Sequence, residues 1–205
     1  MSFEPDFLER LHRSIAASAA QSSSDFDLNK GGFGPKRGTP LTPAGVLVGL
    51  RMRDGLPVVT LTKRASAMKH HPGQIAFPGG KQEPGDGDIT ATALREAEEE
   101  IGLLRQQVDV LGMLGPHETV TGFKATPVLG LIGSDFHPDP DEGEVADVFD
   151  VPFEFLMNAE NTRIESRIWH GQRRYYYAIP YGPYYIWGAT ARMLVGLRTA
   201  WEATA

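Results

Sequence analysis

Between Arg95 and Leu103 the chain reads Arg-Glu-Ala-Glu-Glu-Glu-Ile-Gly-Leu. Glu96, Glu99 and Glu100 stand at i, i+3 and i+4, so on a helix their carboxylates share one face. Like charges at that spacing repel by roughly a few tenths of a kcal/mol per pair. A divalent cation reverses the sign, because Mg²⁺ and Mn²⁺ take oxygen ligands from a few carboxylates together with substrate phosphates and water. Arg95, four residues before Glu99, is within salt-bridge reach of it and supports the acidic face rather than reacting itself. The chemistry expected of this turn is metal-assisted work on phosphates.

Other residues offer chemistry with two readings each. Lys63, Arg64, Lys69, His70 and His71 fall within nine residues, and they either grip a small anion or form a solvated basic loop. His70, His71 and His117 titrate near neutrality, which suits an acid or base as well as an ordinary surface or satisfied histidine. All six tyrosines lie between Tyr175 and Tyr185, flanked by Trp169 and Trp187. They can stack on a base, or pack in strands and at the subunit interface of a homodimer.

These groups need elements to hold them. The acidic face requires a helix over about Ile89 to Ile101, with Ile89, Ala93, Leu94, Ala97 and Ile101 as its buried stripe. Asp86 or Asp88 can cap its start, Gly102 stops it, and its acidic face points away from the core. Ahead of it, Gly45 to Arg51 and Pro57 to Lys63 read as a hairpin turned at Asp54-Gly55. Ile75 to Phe77 is a third short strand, stopped by Pro78-Gly79-Gly80. Behind it come strands at Val108 to Leu114 and Thr126 to Ile132, and a short helix within Val151 to Met157. Two more strands, Thr162 to Trp169 and Arg173 to Ile179, precede a last helix from Ile186 to Glu202.

An amphipathic helix from Pro5 to about Ala20 carries Phe7, Leu8, Leu11 and Ile15 on one side. Gln21 to Pro43, rich in Ser, Gly and Pro, reads as a flexible linker. The expected organisation is therefore residues 1–43 as helix plus linker and 44–205 as the folded domain. Without a regular βαβ repeat, the fold class is α/β in the α+β sense, a mixed sheet sandwiched between helices.

Composition narrows the function classes. Of 205 residues 41% are apolar and 22% charged, ordinary for a globular chain, and no apolar run reaches the ~20 residues of a membrane span. The first helical stretch mixes acidic and basic residues and lacks the order of a signal peptide. The absence of cysteine excludes disulfides and thiolate sites and fits a cytoplasmic location. A net charge of −6 argues against a nucleic-acid partner, whose backbone demands many Lys or Arg contacts.

The stretch from Gly80 to Leu103 resembles the Nudix box, G-x5-E-x7-R-E-U-x-E-E-x-G-U, where U is a bulky aliphatic. Arg95, Glu96, Glu99, Glu100 and Gly102 fill fixed positions and Leu103 the last aliphatic one. Asp86 stands where the first Glu is expected, one residue further from Arg95 than usual, and Ala97 is small for its position. Upstream, Leu61, Thr62, Arg64, Gly73 and Phe77 to Gly80 are similar to the signature of coenzyme A pyrophosphatases of that superfamily, with Lys69 in place of an Arg. The ending Ile186-Trp-Gly-Ala-Thr-Ala-Arg192 looks like that subgroup too.

The resemblance implies the Nudix fold and Mg²⁺- or Mn²⁺-dependent hydrolysis of the diphosphate bond of coenzyme A. It implies metal ligation by Glu96, Glu99 and Glu100 with the Gly80 carbonyl, and catalytic parts for Glu99, Glu100 and Arg95. Arg64, Lys69, Phe77 and Gly79 would meet the substrate, the two cations at the diphosphate or the 3′-phosphate. One further acid is implied outside the box, as ligand or base. Glu144 fits its place and otherwise reads as a solvated loop acid; Glu118 is second. Two other readings stay open: cleavage of another nucleoside diphosphate derivative such as ADP-ribose, a dinucleotide or an oxidised nucleotide, and a Nudix module that binds a nucleotide without cleaving it.

Overall fold

The computed structural model describes residues 3–29, 40–68, 70–169 and 171–205. Lys69 and the glycine- and proline-rich part of the expected linker, 30–39, lie outside the described residues. α1 (Pro5–Ala19) leads into a short strand β1 (Ser23–Ser24), then β2 (Thr42–Arg53) and β3 (Leu56–Arg64). β4 (Ile75–Ala76) and β5 (Gly79–Lys81) precede α2 (Ile89–Ile101). β6 (Val108–Met113), β7 (His117–Glu118), β8 (Phe123–Ile132) and β9 (Val145–Pro152) follow, then α3 (Phe153–Met157). The chain closes with β10 (Arg163–Trp169), β11 (Gln172–Tyr181), β12 (Tyr184–Trp187) and α4 (Ala189–Glu202).

Alternation of side chains along the central strands makes two cores. On β2, Leu47 faces one side with Val128 and Ile132 of β8, and α2 covers them with Ala93, Leu94, Ala97 and Ile101. Val48 and Leu50 face the other side with Val59, Leu61 and Leu129, covered by Leu11 and Ile15 of α1 and by Leu194 and Leu197 of α4. The architecture is thus a mixed α+β fold in which a mixed sheet lies between helices. Close approach sets the α2 contact: a Cβ on Gly45 of β2 would meet the Ile89 carbonyl oxygen at 2.5 Å, so only glycine lets the helix settle there.

The hairpin of β2 and β3 turns through Asp54 (φ 51°) and Gly55 (φ 82°), the double left-handed turn that suits the twist of its strands. Among the described residues the main sheet has nine strands, with β8 parallel to β2 from Thr42↔Phe123 to Leu50↔Leu131. β3 leaves β2 after Thr60, and the gap takes β5 against Ala44 to Val46 and β4 against Thr62 and Lys63. The glycines after Phe77 thereby end up beside α2. A second, three-stranded antiparallel sheet has the order β10-β11-β12.

Several expectations need correction. Gly79 to Lys81 does not merely stop a strand but forms one, because its backbone pairs with β2 where no side chain would fit. Val145 to Pro152 forms a strand on the outer edge of β3, burying Val145, Phe149 and Val151. The last helix starts at Ala189, since Tyr184 to Trp187 pairs with β11. The linker is ordered in its first part: β1 runs parallel to β7 and residues 25–28 form turns. The acidic face of α2 does not point wholly outward, because Glu100 is buried.

Candidate active site

α2 begins at Asp88, whose side chain accepts the Ala91 N–H at 2.7 Å, and ends at Gly102 in the left-handed region (φ 69°). That frame sends its four outer side chains in different directions. Asp86, in the place of the first box glutamate, accepts Arg95 Nε at 2.9 Å and Nη2 at 3.1 Å as a two-pronged pair, and the Thr92 hydroxyl at 2.9 Å. The Arg95 hydrogen bonds hold the Asp86 carboxyl well below the usual carboxylate range. Arg95 also reaches Glu99 at 2.7 Å and Glu96 at 3.0 Å. One guanidinium thus ties the box loop to two of the three predicted ligands.

Glu96 lies against the Cα of Gly80, where any Cβ would overlap its carboxylate. Glu100 accepts the Gly79 N–H at 3.1 Å and faces Arg64 Nη1 at 3.6 Å. Glu99, with its side chain 59% exposed, stands with Arg95 on the outer flank. The structure therefore brings together Glu96, Glu100, Gly79, Gly80 and Arg64, and holds Glu99 to one side.

Burial pushes the Glu100 carboxyl up to about 7. The Gly79 N–H and Arg64 pull against that rise, while the charges of Glu96 and Glu144 reinforce it. Burial likewise raises Glu96, against the pull of Arg95, with Glu99 and Glu144 adding to the rise. Glu144, rather than Glu118, is thus the outside acid whose field reaches the helix; its carbonyl accepts the Ala65 N–H, next to Arg64. Glu118 sits on β7, where its own carbonyl takes the Asp25 N–H.

Among the described residues no three His, Asp or Glu groups converge as a ready cation site. Arg95 explains this, since it draws Glu96 and Glu99 toward itself. The donor set nevertheless fits a hard divalent ion: oxygen donors only, two of them short of solvent, with the charge of Glu96 adding to the rise of Glu100 and that of Glu144 to the rise of both.

Beside this acid cluster opens a cavity of about 570 Å³. Arg64, Phe77, Gly79 and Gly80 form one side of it, and Tyr175, Tyr176 and Tyr177 line it from β11. Phe77 is 3% exposed, so it belongs to the core and shapes the wall. His70 and His71 line it as well; burial lowers the His71 pKa, and the Arg64 and His70 charges add to that against the opposing pull of Asp25. His117 is fully buried, with Ser23 Oγ at 3.0 Å from Nδ1 and Asp25 at 3.2 Å from Nε2, so it anchors the N-terminal strap.

Sequence reasoning missed that strap. Asp27 accepts Arg192 at 2.8 and 3.0 Å, and Asn29 pairs with both backbone groups of Tyr175 at 2.8 Å. Ser24, Asp25 and Leu28 thereby join the cavity wall. It also missed Arg167 and Arg174, which line the cavity from the second sheet, although four arginines in residues 163–174 of an acidic chain were a visible signal.

The chain is 40% identical over 151 residues to the uncharacterized Nudix hydrolase NudL of Enterobacter sp. (strain 638), covering 74% of this chain and 78% of that one. It is 41% identical over 170 residues to Nudix hydrolase 15, mitochondrial, of Arabidopsis thaliana, covering 80% of this chain but only 58% of the plant protein. The crystal structure of a MutT protein from Methanosarcina mazei Go1 superposes with a TM-score of 0.49 at 17% identity, over 82% of this chain and 96% of that one. The model of the NUDIX domain matches residues 41–170, a span that holds the acidic helix, Arg64, the glycines of β5 and Glu144, and on that match the chain belongs to the NUDIX family.

Proposed function

We propose that this Nudix-family hydrolase cleaves the diphosphate bond of coenzyme A or its derivatives, with Mg²⁺ or Mn²⁺, to 4′-phosphopantetheine and adenosine 3′,5′-bisphosphate. The observation that carries the reading is the seating of Arg64 and Gly79 against Glu100. Residues from the coenzyme A pyrophosphatase-like signature and from the box meet there at one edge of the cavity. Family membership supports hydrolysis of a phosphoanhydride; the substrate is the finer part of the proposal.

The residues divide the work by position. Glu96 and Glu100 would hold the ion, with Glu99 and the Gly80 carbonyl as further oxygen donors. A bound divalent ion supplies neutralisation of the diphosphate and a water of lowered pKa. Arg64 offers its fork to the diphosphate oxygens, a geometry that lysine lacks. Glu144 accepts the proton of the attacking water. One P–O bond forms, the bridging P–O bond breaks, and the leaving phosphate carries away the electron pair. Arg95 positions Glu96 and Glu99 and does not touch the substrate. Lys69 keeps its proposed place as a second cation for the phosphates.

The aromatic cavity also favours a second reading, another nucleoside diphosphate derivative such as ADP-ribose. A binding-only module has little use for a buried glutamate held against its own solvation. Incubation with coenzyme A, ADP-ribose or NADH, each with Mg²⁺ or Mn²⁺, followed by product identification, separates these. The proposal expects the highest kcat/KM for coenzyme A and the two named products. Turnover confined to ADP-ribose or NADH would remove the coenzyme A assignment.

A further inference from the structure

Four arginines line the cavity: Arg64, Arg167, Arg174 and Arg192. Two are already matched by carboxylates, Arg64 by Glu100 and Arg192 by Asp27. Among the described residues neither Arg167 nor Arg174 has a carboxylate within 4.0 Å; the Arg174 charge is felt at Asp25, whose own hydrogen bonds go to His117 and Val120. Arg167 and Arg174 are nevertheless direct cross-strand partners on β10 and β11. Like charges in that position destabilise a strand pair, and a sheet free of other demands would place an acid opposite one of them.

Each guanidinium is also fixed by a ring. Arg167 lies over Trp187 at 4.9 Å and Arg174 over Trp169 at 4.9 Å. A guanidinium held over a ring still carries five N–H donors, enough to meet a planar or tetrahedral oxyanion. Two such donor sets at directly paired positions of a cavity wall make a fork for a doubly charged group. The same wall carries Tyr176, which meets Trp187 edge-on at 5.3 Å.

We propose that Arg167 and Arg174 form a second anion site, a clamp for a phosphomonoester attached to the sugar of a nucleotide whose diphosphate lies at Arg64 and Glu100. The identification of that group as the 3′-phosphate of coenzyme A rests on the proposed function; the clamp itself does not. It assigns the 3′-phosphate to Arg167 and Arg174 rather than to Arg64, which stands beside Glu100 and is left to the diphosphate.

The test is calorimetric binding of adenosine 3′,5′-bisphosphate and of adenosine 5′-monophosphate to the full chain in chelator, with wild type, Arg167→Gln, Arg174→Gln and, as a control on the same hairpin, Arg173→Gln. Wild type should bind the bisphosphate about tenfold or more tightly than the monophosphate, as a charge-assisted pair of bonds requires. Either clamp variant should reduce that preference to about twofold and leave monophosphate affinity unchanged, while the control keeps the full preference. Equal wild-type affinities for the two nucleotides overturn the clamp without any variant having to fold. Equal losses for both nucleotides in the variants overturn it as well. Discrimination without coenzyme A turnover supports the clamp and sinks the substrate reading; turnover without discrimination does the reverse.

Discussion

Glu100 is the residue on which stability and activity pull in opposite directions. Because burial raises its pKa from 4.5 to about 7, the folded state keeps a proton that the unfolded state releases across that window. Stability of the metal-free protein therefore falls as pH rises from about 4.5 to 7, by on the order of 3 kcal/mol for this group. Glu100→Gln removes the penalty. In thermal melts with chelator, the variant should be more stable than wild type at pH 8 and match it at pH 5, while turnover with divalent ion drops about a hundredfold or more. Parallel melts at both pH values would contradict the electrostatic account. Arg64 gives a second prediction at this scale: Arg64→Ala should weaken coenzyme A and 3′-dephospho-coenzyme A by similar factors, since the proposed function sets it at the diphosphate, beside Glu100. A loss confined to coenzyme A would return the 3′-phosphate to Arg64.

Among the elements, α2 and β5 make the site, and they differ in how far the sequence reveals them. α2 was legible to its ends because every signal is local: a 3.6-period apolar stripe, Asp88 at the start and Gly102 at the stop. Asp88→Ala should lower stability by about 1 kcal/mol in a denaturant titration, with turnover per folded molecule unchanged. β5 was not legible, since two glycines carry the weakest strand propensity and form a strand only because β2 and Glu96 leave no room for side chains. Gly80→Ala tests that argument: it should displace Glu96 and cut turnover by about tenfold or more, with a far-UV spectrum like that of wild type. Full activity would show that Glu96 has slack. β9 sets Val145, Phe149 and Val151 on one face, but Asp147 interrupts that face, so the strand shows only through its pairing with β3. The pairing of Glu96 with Arg95 could not be read from spacing, which fixes a shared face and not which partner wins on it.

For the whole molecule, the N-terminal region is where local reading ran out. Ser23 to Asn29 has the composition of a linker, and its partners His117, Tyr175 and Arg192 lie roughly ninety or more residues away, beyond any local pattern. α1 likewise seals one core against α4, with Leu11 fully buried and Arg10 over the Trp201 ring at 3.9 Å. Leu11→Ala should cost about 2–5 kcal/mol and lower the thermal midpoint of the entire chain in a single transition. A negligible change would mark residues 1–43 as an independent appendage. No described helix is long and apolar enough to cross a membrane. The account as a whole stands on α2 and its neighbours binding a hard cation beside the cavity. Its most direct measurement is an anomalous difference map from crystals soaked in manganese. The predicted result is a peak bounded by Glu96 and Glu100, lost in Glu100→Gln. A map with no peak at those oxygens, together with hydrolysis that persists in excess chelator, would contradict it.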